Sequence, residues 1–205
     1  MIVVDNTFLS VLFFPKISPP LDPATGKPIH RLEDRIDELI ENLRADRDKI
    51  LIPTPALSEF LYQAGNDGPL YLAEIDSDSV YFVAGFDQKA AIELAALNLE
   101  IKRKMSRTKI KIDEATTDTK AKMSFDKQIV AIAAANEVSA IYSDDKGVKN
   151  FATHASIQVI KMHELPLPSA KQLDLITEEP TPTKRRKATR KRGTETESEN
   201  EESES

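Results

Sequence analysis

The chain has 205 residues, a formal net charge of −6 and no cysteine, which excludes disulfides and thiolate metal sites. Its length suits one domain of ordinary size with an appendage. The amino-terminal segment meets an acid at Asp5, unlike a signal peptide, and no apolar run approaches the roughly 20 residues of a membrane span. We therefore expect a soluble, cytoplasmic protein without a membrane partner.

Apolar, β-branched runs alternate with helical patterns along most of the chain. Strands are predicted at residues 2–4, 49–53, 79–86, 139–143 and 156–161. Helices are predicted at residues 8–14, 31–45, 54–65, 69–75, 87–105, 124–137 and 146–153, with a proline-rich loop at 15–28 and an irregular segment at 106–122. This alternation predicts an α/β fold, a three-layer α/β/α sandwich with a mainly parallel central sheet.

The composition changes beyond about residue 177, where apolar residues almost disappear. Residues 181–192 carry seven basic side chains and no acid, and residues 193–205 carry six glutamates and no base. We predict a domain at 1–165, a linker at 166–180 and a disordered, basic-then-acidic tail at 181–205. The basic part resembles a nucleic-acid tether or a localisation signal, and a merely solvated low-complexity tail is the alternative.

Acidic side chains follow two of the predicted strands. Asp5 comes directly after the first strand, and Asp144 and Asp145 come after the fourth. If these strands are parallel neighbours, the acids meet at one edge of the sheet. Two carboxylates at about 4 Å repel by about 4 kcal/mol at an effective dielectric of 20, so such a cluster needs protons or a cation. Oxygen ligands suit Mg²⁺ or Mn²⁺, whereas an aspartate after a strand is otherwise a common turn residue or helix cap.

Two helices contribute further acids. Asp126 shares the apolar stripe of its helix with Ile129 and Val130 and lies in the first turn after the predicted cap, Ser124. We expect it to point inward, with the helix dipole and free amides favouring its ionised form. Glu59 lies away from the centre of the apolar stripe on its helix, so periodicity alone predicts a solvated glutamate.

Four segments, taken together, resemble the PIN-domain nucleases, and in particular their toxin-type ribonucleases. They occur in the family's order and are IVVDNTFLSVLF, PTPALSEFL, SFDKQIVAIA and IYSDDKGVKNF. The resemblance covers about residues 1–162. It implies an acidic pocket at the carboxyl ends of the parallel strands. It also implies hydrolysis of RNA phosphodiesters by an endonuclease that depends on Mg²⁺ or Mn²⁺.

The resemblance also implies roles for individual residues. Asp145 is the better match to the family's fourth acid because it stands two residues after Ser143, and Asp144 is then a spare ligand or a turn residue. Thr7 matches a small polar position whose hydroxyl can contact the metal or its water. The implied catalytic and metal-binding acids are Asp5, Glu59, Asp126 and Asp145.

Basic residues cluster just ahead of Asp126 and predict a rim that contacts the RNA backbone. A solvated helix end and ordinary surface lysines are the alternative. The predicted RNA-contacting residues are Lys102, Arg103, Lys104, Arg107, Lys109, Lys127 and Lys146, and the rim also includes Lys111, Lys120 and Lys122. Many small members of the family pair with an antitoxin, so an antitoxin, another protein partner or a homodimer stays open.

The sequence also bears on two other classes of function. A haloacid-dehalogenase-like phosphatase needs a second acid where this chain has Thr7, and a late Gly-Asp motif that is absent. A catalytically inactive PIN-like module that binds RNA or protein is the remaining alternative. Retention of four acids argues against that module, because an unused acidic cluster costs stability. The sequence therefore predicts a metal-dependent ribonuclease.

Overall fold

The central strand of the sheet is β1 (Ile2–Val4), and all three of its apolar residues are buried. A strand of a parallel sheet covered on both faces requires such a continuous apolar run. The computed structural model describes residues 1–14, 17–108 and 117–168, except the side chains of residues 105, 107, 108 and 117–120. The described residues lie in one compact unit, Met1–Pro168.

The described residues form one sheet of five parallel strands. Its other strands are β2 (Ile50–Pro53), β3 (Tyr81–Ala84), β4 (Ala140–Tyr142) and β5 (Gln158–Ile160). Their order across the sheet is β3-β2-β1-β4-β5, with Ile2 paired to Ile50 on one side and to Ala140 on the other. The chain builds outward from β1 to β3 and then crosses to β4. The carboxyl ends of β1 and β4 therefore meet where the strand order reverses, which is the usual location of a site in such sheets.

Helices connect the strands and cover the sheet. In the described part of the chain they are α1 (Asn6–Phe13), α2 (Leu32–Ala45), α3 (Thr54–Ala64), α4 (Gly68–Ser77), α5 (Gln88–Thr108), α6 (Thr117–Ala135) and α7 (Lys146–His154). Helix α6 packs along α5 and also contacts α3 and α7. None of the described helices is long and apolar enough to cross a membrane. The predicted three-layer α/β/α fold is confirmed.

Aromatic packing fixes α3, the helix that carries Glu59, against the rest of the domain. Phe60 is fully buried, and its ring stacks on that of Phe14 with the centroids 4.9 Å apart. Phe13 and Tyr71 contact the same ring. Aromatic pairs of this kind stabilise a core beyond the area that they bury. The position of α3 is thereby set by the residue next to Glu59.

The structure corrects the prediction for the segment between α5 and α6. Residues 106–108 complete α5 and residues 117–122 begin α6, so the predicted irregular segment is too long. Ser124 consequently lies inside α6 and does not cap it. The polar run TDTKAKM, which opens α6, has no apolar stripe from which a helix could be recognised.

Several predictions fall outside the described residues. They concern Lys109 and Lys111 in the segment 109–116, most of the linker 166–180 and the whole tail 181–205. The described part of the proline-rich loop contains turns and one isolated bridge between Leu21 and Pro28, without a helix. This agrees with its prediction as a loop.

Candidate functional site

Asp5 is held firmly at the carboxyl end of β1. It is only 4% exposed and caps α1, with Oδ1 accepting a hydrogen bond from the backbone N–H of Phe8 at 2.8 Å. Its other oxygen, Oδ2, accepts a hydrogen bond from the hydroxyl of Ser143, just beyond β4. Burial raises the pKa of Asp5 to about 6 although both hydrogen bonds lower it, and the charges of Asp144 and Asp145 raise it further.

Asp145 caps α7 and forms an ion pair at the same edge of the sheet. Its backbone N–H donates to Oγ of Ser143 at 3.0 Å, and its Oδ1 accepts a hydrogen bond from the N–H of Gly147 at 2.6 Å. Its Oδ2 lies 2.8 Å from Nζ of Lys122. Burial raises the pKa of this carboxyl, but Lys122 and the amide of Gly147 outweigh burial, so the pKa lies below its ordinary value. Both carboxylate oxygens are thus engaged.

Asp126 projects from the interior of α6 and is 7% exposed. Burial raises its pKa to about 6, and the negative charges of Asp145, Glu59 and Asp5 add to that rise. The predicted help from the helix start is wrong, because α6 begins at Thr117, more than two turns earlier. Asp126 is instead a carboxylate whose ionisation the surrounding acids oppose.

Glu59 is half-buried on α3 and interacts electrostatically with two residues of the site. Burial raises its pKa, the charge of Lys122 lowers it and that of Asp145 raises it again. It is therefore not the fully solvated glutamate that periodicity predicts, since α6 packs against α3. The buried hydroxyl of Ser10 on α1 lies 3.0 Å from Oε1 of Gln63 and joins α1 to α3.

Gly147, which sequence reasoning did not single out, leaves space for two of the carboxylates. A Cβ at this position would overlap Oδ2 of Asp126 and lie 3.0 Å from Oδ1 of Asp145. Only a residue without a side chain lets the two acids approach the first turn of α7 in this way. The one sequence signal that could have identified it is a glycine placed two residues after an acidic pair.

The remaining predicted residues around the acids differ in their placement. Asp144 is half-buried, and its charge reaches Asp5. Ser143 is buried, and its hydroxyl donates to the carboxylate of Asp5 and accepts from the backbone N–H of Asp145. It therefore connects the carboxyl ends of β1 and β4. Thr7 is exposed in the first turn of α1 and, among the described contacts, makes no hydrogen bond to the four principal acids.

Two of the predicted RNA-contacting lysines flank the acids in sequence. Nζ of Lys127 lies 5.3 Å from the centroid of the Phe151 ring, a cation–π contact that holds the ammonium near α7. Lys146 is exposed as the first residue of α7. Lys127 thus lies on the helix that carries Asp126, and Lys146 lies on the helix that begins just after Asp145.

The other predicted RNA contacts lie on α5. Lys102, Arg103 and Lys104 are exposed there, and Arg103 and Lys104 pair with Glu100 at 2.9 and 3.7 Å. Exposed ion pairs of this kind are weak. The structure does not describe the side chains of Arg107, Lys109, Lys111 and Lys120.

The chemistry of the donor set suits a hard divalent ion. Every candidate ligand is a carboxylate, Asp126 and Asp145 approach the same glycine, and the ammonium of Lys122 already pairs with the cluster. Among the described residues, no three acidic or histidine side chains come close enough to hold an ion as they stand. Binding of such an ion would therefore require some of these side chains to turn toward it.

Comparison with known proteins adds similarities of fold. No protein-family model and no curated protein matches the chain. Similar solved structures include VapBC2 from Rickettsia felis bound to a promoter DNA fragment, at 16% identity and a TM-score of 0.46, over 78% of this chain and 98% of that one. DNA-bound VapBC from Salmonella typhimurium is 14% identical with a TM-score of 0.44, over 78% of this chain and 97% of that one. FitAB bound to an IR36 DNA fragment is 14% identical with a TM-score of 0.46, over 82% of this chain and 100% of that one. Similarities at this level assign the chain to no family.

Proposed function

We propose that the chain is a metal-dependent ribonuclease of the endonuclease type. Its proposed ligands for Mg²⁺ or Mn²⁺ are Asp5, Glu59, Asp126 and Asp145, with Asp144 as a further carboxylate beside them. The observation that carries the proposal is the mutual electrostatic interaction of acids that come from four separate elements of the fold.

Such a cluster lowers the free energy of unfolding, so its presence suggests a function. Burial raises the pKa of both Asp5 and Asp126 to about 6, so at neutral pH each is ionised against the cost of its surroundings. Perturbed carboxylates that converge at the point where the strand order of a parallel sheet reverses are candidates for a functional site. A divalent cation would reduce the repulsion among these carboxylates, and its binding would account for their arrangement.

The bound ion would supply the Lewis-acid chemistry of phosphodiester hydrolysis, activating water and stabilising charge on the phosphate. The chain's own residues set the geometry for this. Ser143 fixes the carboxylate of Asp5 and the backbone of Asp145 relative to each other. Gly147 leaves the space that Asp126 and Asp145 share.

RNA is the proposed substrate because cations suited to its backbone lie on the helices next to the acids. Lys146 and Lys127 lie on α7 and α6, and Lys102 is exposed on α5, which packs along α6. Negative phosphates would otherwise be repelled by the carboxylates. The same surface would suit an inactive RNA-binding module, so cleavage itself must be measured.

The experiment is cleavage of a labelled, mixed-sequence single-stranded RNA with Mn²⁺, with Mg²⁺ and with chelator. The test variant is Asp126→Asn, which removes one charge and keeps the side-chain shape. The matched control is Asp76→Asn, the same change at an exposed position of α4, near the amino end of β3. Cleavage that needs metal, is lost in the test variant and persists in the control supports the proposal.

Two other outcomes are informative. Absence of cleavage, together with no thermal shift on adding Mn²⁺, would reject the metal centre and favour the inactive binding module. A thermal shift without cleavage, lost in Asp126→Asn, would leave the metal centre in place. The RNA supplied would then lack the sequence or structure that the protein selects.

A further inference from the structure

Lys122 belongs to the carboxylate cluster, although its sequence context suggests only a surface rim. Its Nζ lies 2.8 Å from Oδ2 of Asp145, and its charge also acts on Asp126 and Glu59. Because α6 begins at Thr117, Lys122 lies one helical turn before Asp126 on the same face. The helix therefore presents a cation and an acid to the site together.

We propose that Lys122 is a built-in counter-cation that a divalent metal must displace. Without metal, its ammonium neutralises the cluster by pairing with Asp145. On metal binding, the lysine leaves that oxygen and joins the positive rim, where it faces the RNA phosphate. This inference rests on the proposed metal-dependent function.

The two oxygens of Asp145 explain why displacement is required. Oδ1 accepts the hydrogen bond from the N–H of Gly147 that caps α7, so it is committed to the helix start. Oδ2 is the oxygen that pairs with Lys122. A divalent ion on Oδ2 would lie close to the ammonium, and the two cations would repel each other.

The side chain of Lys122 is suited to release. It is 63% exposed, whereas that of Asp145 is 25% exposed, so the lysine reaches into the cluster from solvent. An exposed ion pair of this kind is weak, and a long flexible stem can carry the ammonium elsewhere. The lysine therefore lowers the affinity for metal moderately and does not block the site.

The test compares Mn²⁺ binding by wild-type protein and Lys122→Met, using titration calorimetry on metal-stripped full-length chains. We expect the variant to bind Mn²⁺ about two- to fivefold more tightly, since an exposed ion pair is worth that ratio. Lys122→Arg keeps the charge and should restore weaker binding. Lys89→Met removes the same charge from an exposed position near the start of α5 and should leave the affinity unchanged.

A second readout does not depend on metal. In chelator, Lys122→Met should melt at a lower temperature than Lys89→Met, because the acids lose their counter-charge. Equal Mn²⁺ affinity in wild type and Lys122→Met, or weaker binding by the variant, would overturn the inference and leave the metal centre standing. Absence of Mn²⁺ binding by both proteins would overturn the proposed metal centre and this inference with it.

Discussion

Gly147 leaves open the space into which Oδ2 of Asp126 projects. A Cβ at position 147 would overlap that oxygen, although the residue lies in the first turn of α7, where alanine is otherwise favoured. Glycine at this position lowers the helix propensity of α7 but lets the carboxylate of Asp126 approach the helix. Two carboxylates and the start of α7 meet at this glycine, so a side chain added there would disturb all three.

Replacing Gly147 by alanine should destabilise the protein and weaken Mn²⁺ binding. The gain in helix propensity is about 1 kcal/mol, whereas forcing atoms into an occupied space costs typically 1–3 kcal/mol. Urea unfolding in chelator and Mn²⁺ titration measure the two effects. Gly68→Ala is the control, because a Cβ at that helical position meets only ordinary contacts at 3.5 Å and beyond, and it should be neutral or stabilising. Equal behaviour of the two variants would contradict the close approach of Asp126.

Removing the hydroxyl of Ser143 should destabilise the fold by roughly 1–3 kcal/mol, because buried Asp5 loses a hydrogen-bond donor and the amide of Asp145 loses an acceptor. The pKa of Asp5 should rise further, since Ser143 lowers it. Urea unfolding and a carbon-13 NMR titration of the Asp5 carboxyl in Ser143→Ala check both effects. Ser139→Ala, at an exposed position just before β4, removes only a solvent-exposed hydrogen bond to the carbonyl of Met1, so it should cost less stability and leave the pKa of Asp5 unchanged.

Without metal, the free energy of unfolding should fall as the pH rises from about 4 to 6. Asp5 has a pKa of about 6 in the folded chain and an ordinary value of 3.8, so the folded state holds more protons over this range. The loss attributable to Asp5 is of the order of 2–3 kcal/mol. Asp126 acts in the same direction, whereas Asp145, whose pKa is lowered, stabilises the fold at higher pH. Urea unfolding in chelator at several pH values is the measurement, and stability that rises steadily over this range would contradict the assignment.

Affinity for Mn²⁺ should increase steeply between pH 5 and pH 7. Protons compete with the metal for carboxylates whose pKa is about 6, and each such acid costs about tenfold in affinity at pH 5. Calorimetry at pH 5, 6 and 7 tests this. Affinity that does not vary with pH would show that neither Asp5 nor Asp126 is a ligand.

Asp126→Asn should make the metal-free protein more stable while abolishing the thermal shift caused by Mn²⁺. The substitution removes one member of a group of mutually repelling acids, a gain of the order of 1 kcal/mol after screening by solvent. Differential scanning calorimetry with and without Mn²⁺ gives both quantities. Asp76→Asn should leave both unchanged, and a destabilised Asp126→Asn variant would mean that the carboxylate has a structural role.

The strands and the mainly parallel sheet could be predicted from sequence because the signal for each strand is local. Ile2–Val4 and Ala140–Tyr142 are short apolar runs that end at acids, and parallel pairing then brings Asp5 and Asp145 to one edge. Glu59 was harder to place, since its interaction with Lys122 of α6 depends on how two helices pack, which the periodicity of one helix does not reveal.

The environment of Lys122 could not be predicted from sequence because the predicted start of α6 is wrong. The start of α6 carries no apolar stripe, so the sequence predicts an irregular segment at residues 117–122. In an irregular segment, the four-residue spacing from Lys122 to Asp126 does not indicate that the two side chains share a face. Once the helix is known to begin at Thr117, the two residues fall on one face. The role of Gly147 depends on how closely Oδ2 of Asp126 approaches it in the folded chain, which the sequence does not reveal.

The bond between Ser143 and Asp5 joins positions 138 residues apart, and this sets an order of events on the ribosome. At the usual rate of synthesis, roughly 7–28 s pass between making the first residue and making the second. Until β4 emerges and pairs beside β1, Asp5 lacks both its hydrogen-bond donor and its acidic neighbours. The carboxylates of Asp5 and Asp145 therefore come together only after most of the chain has been made.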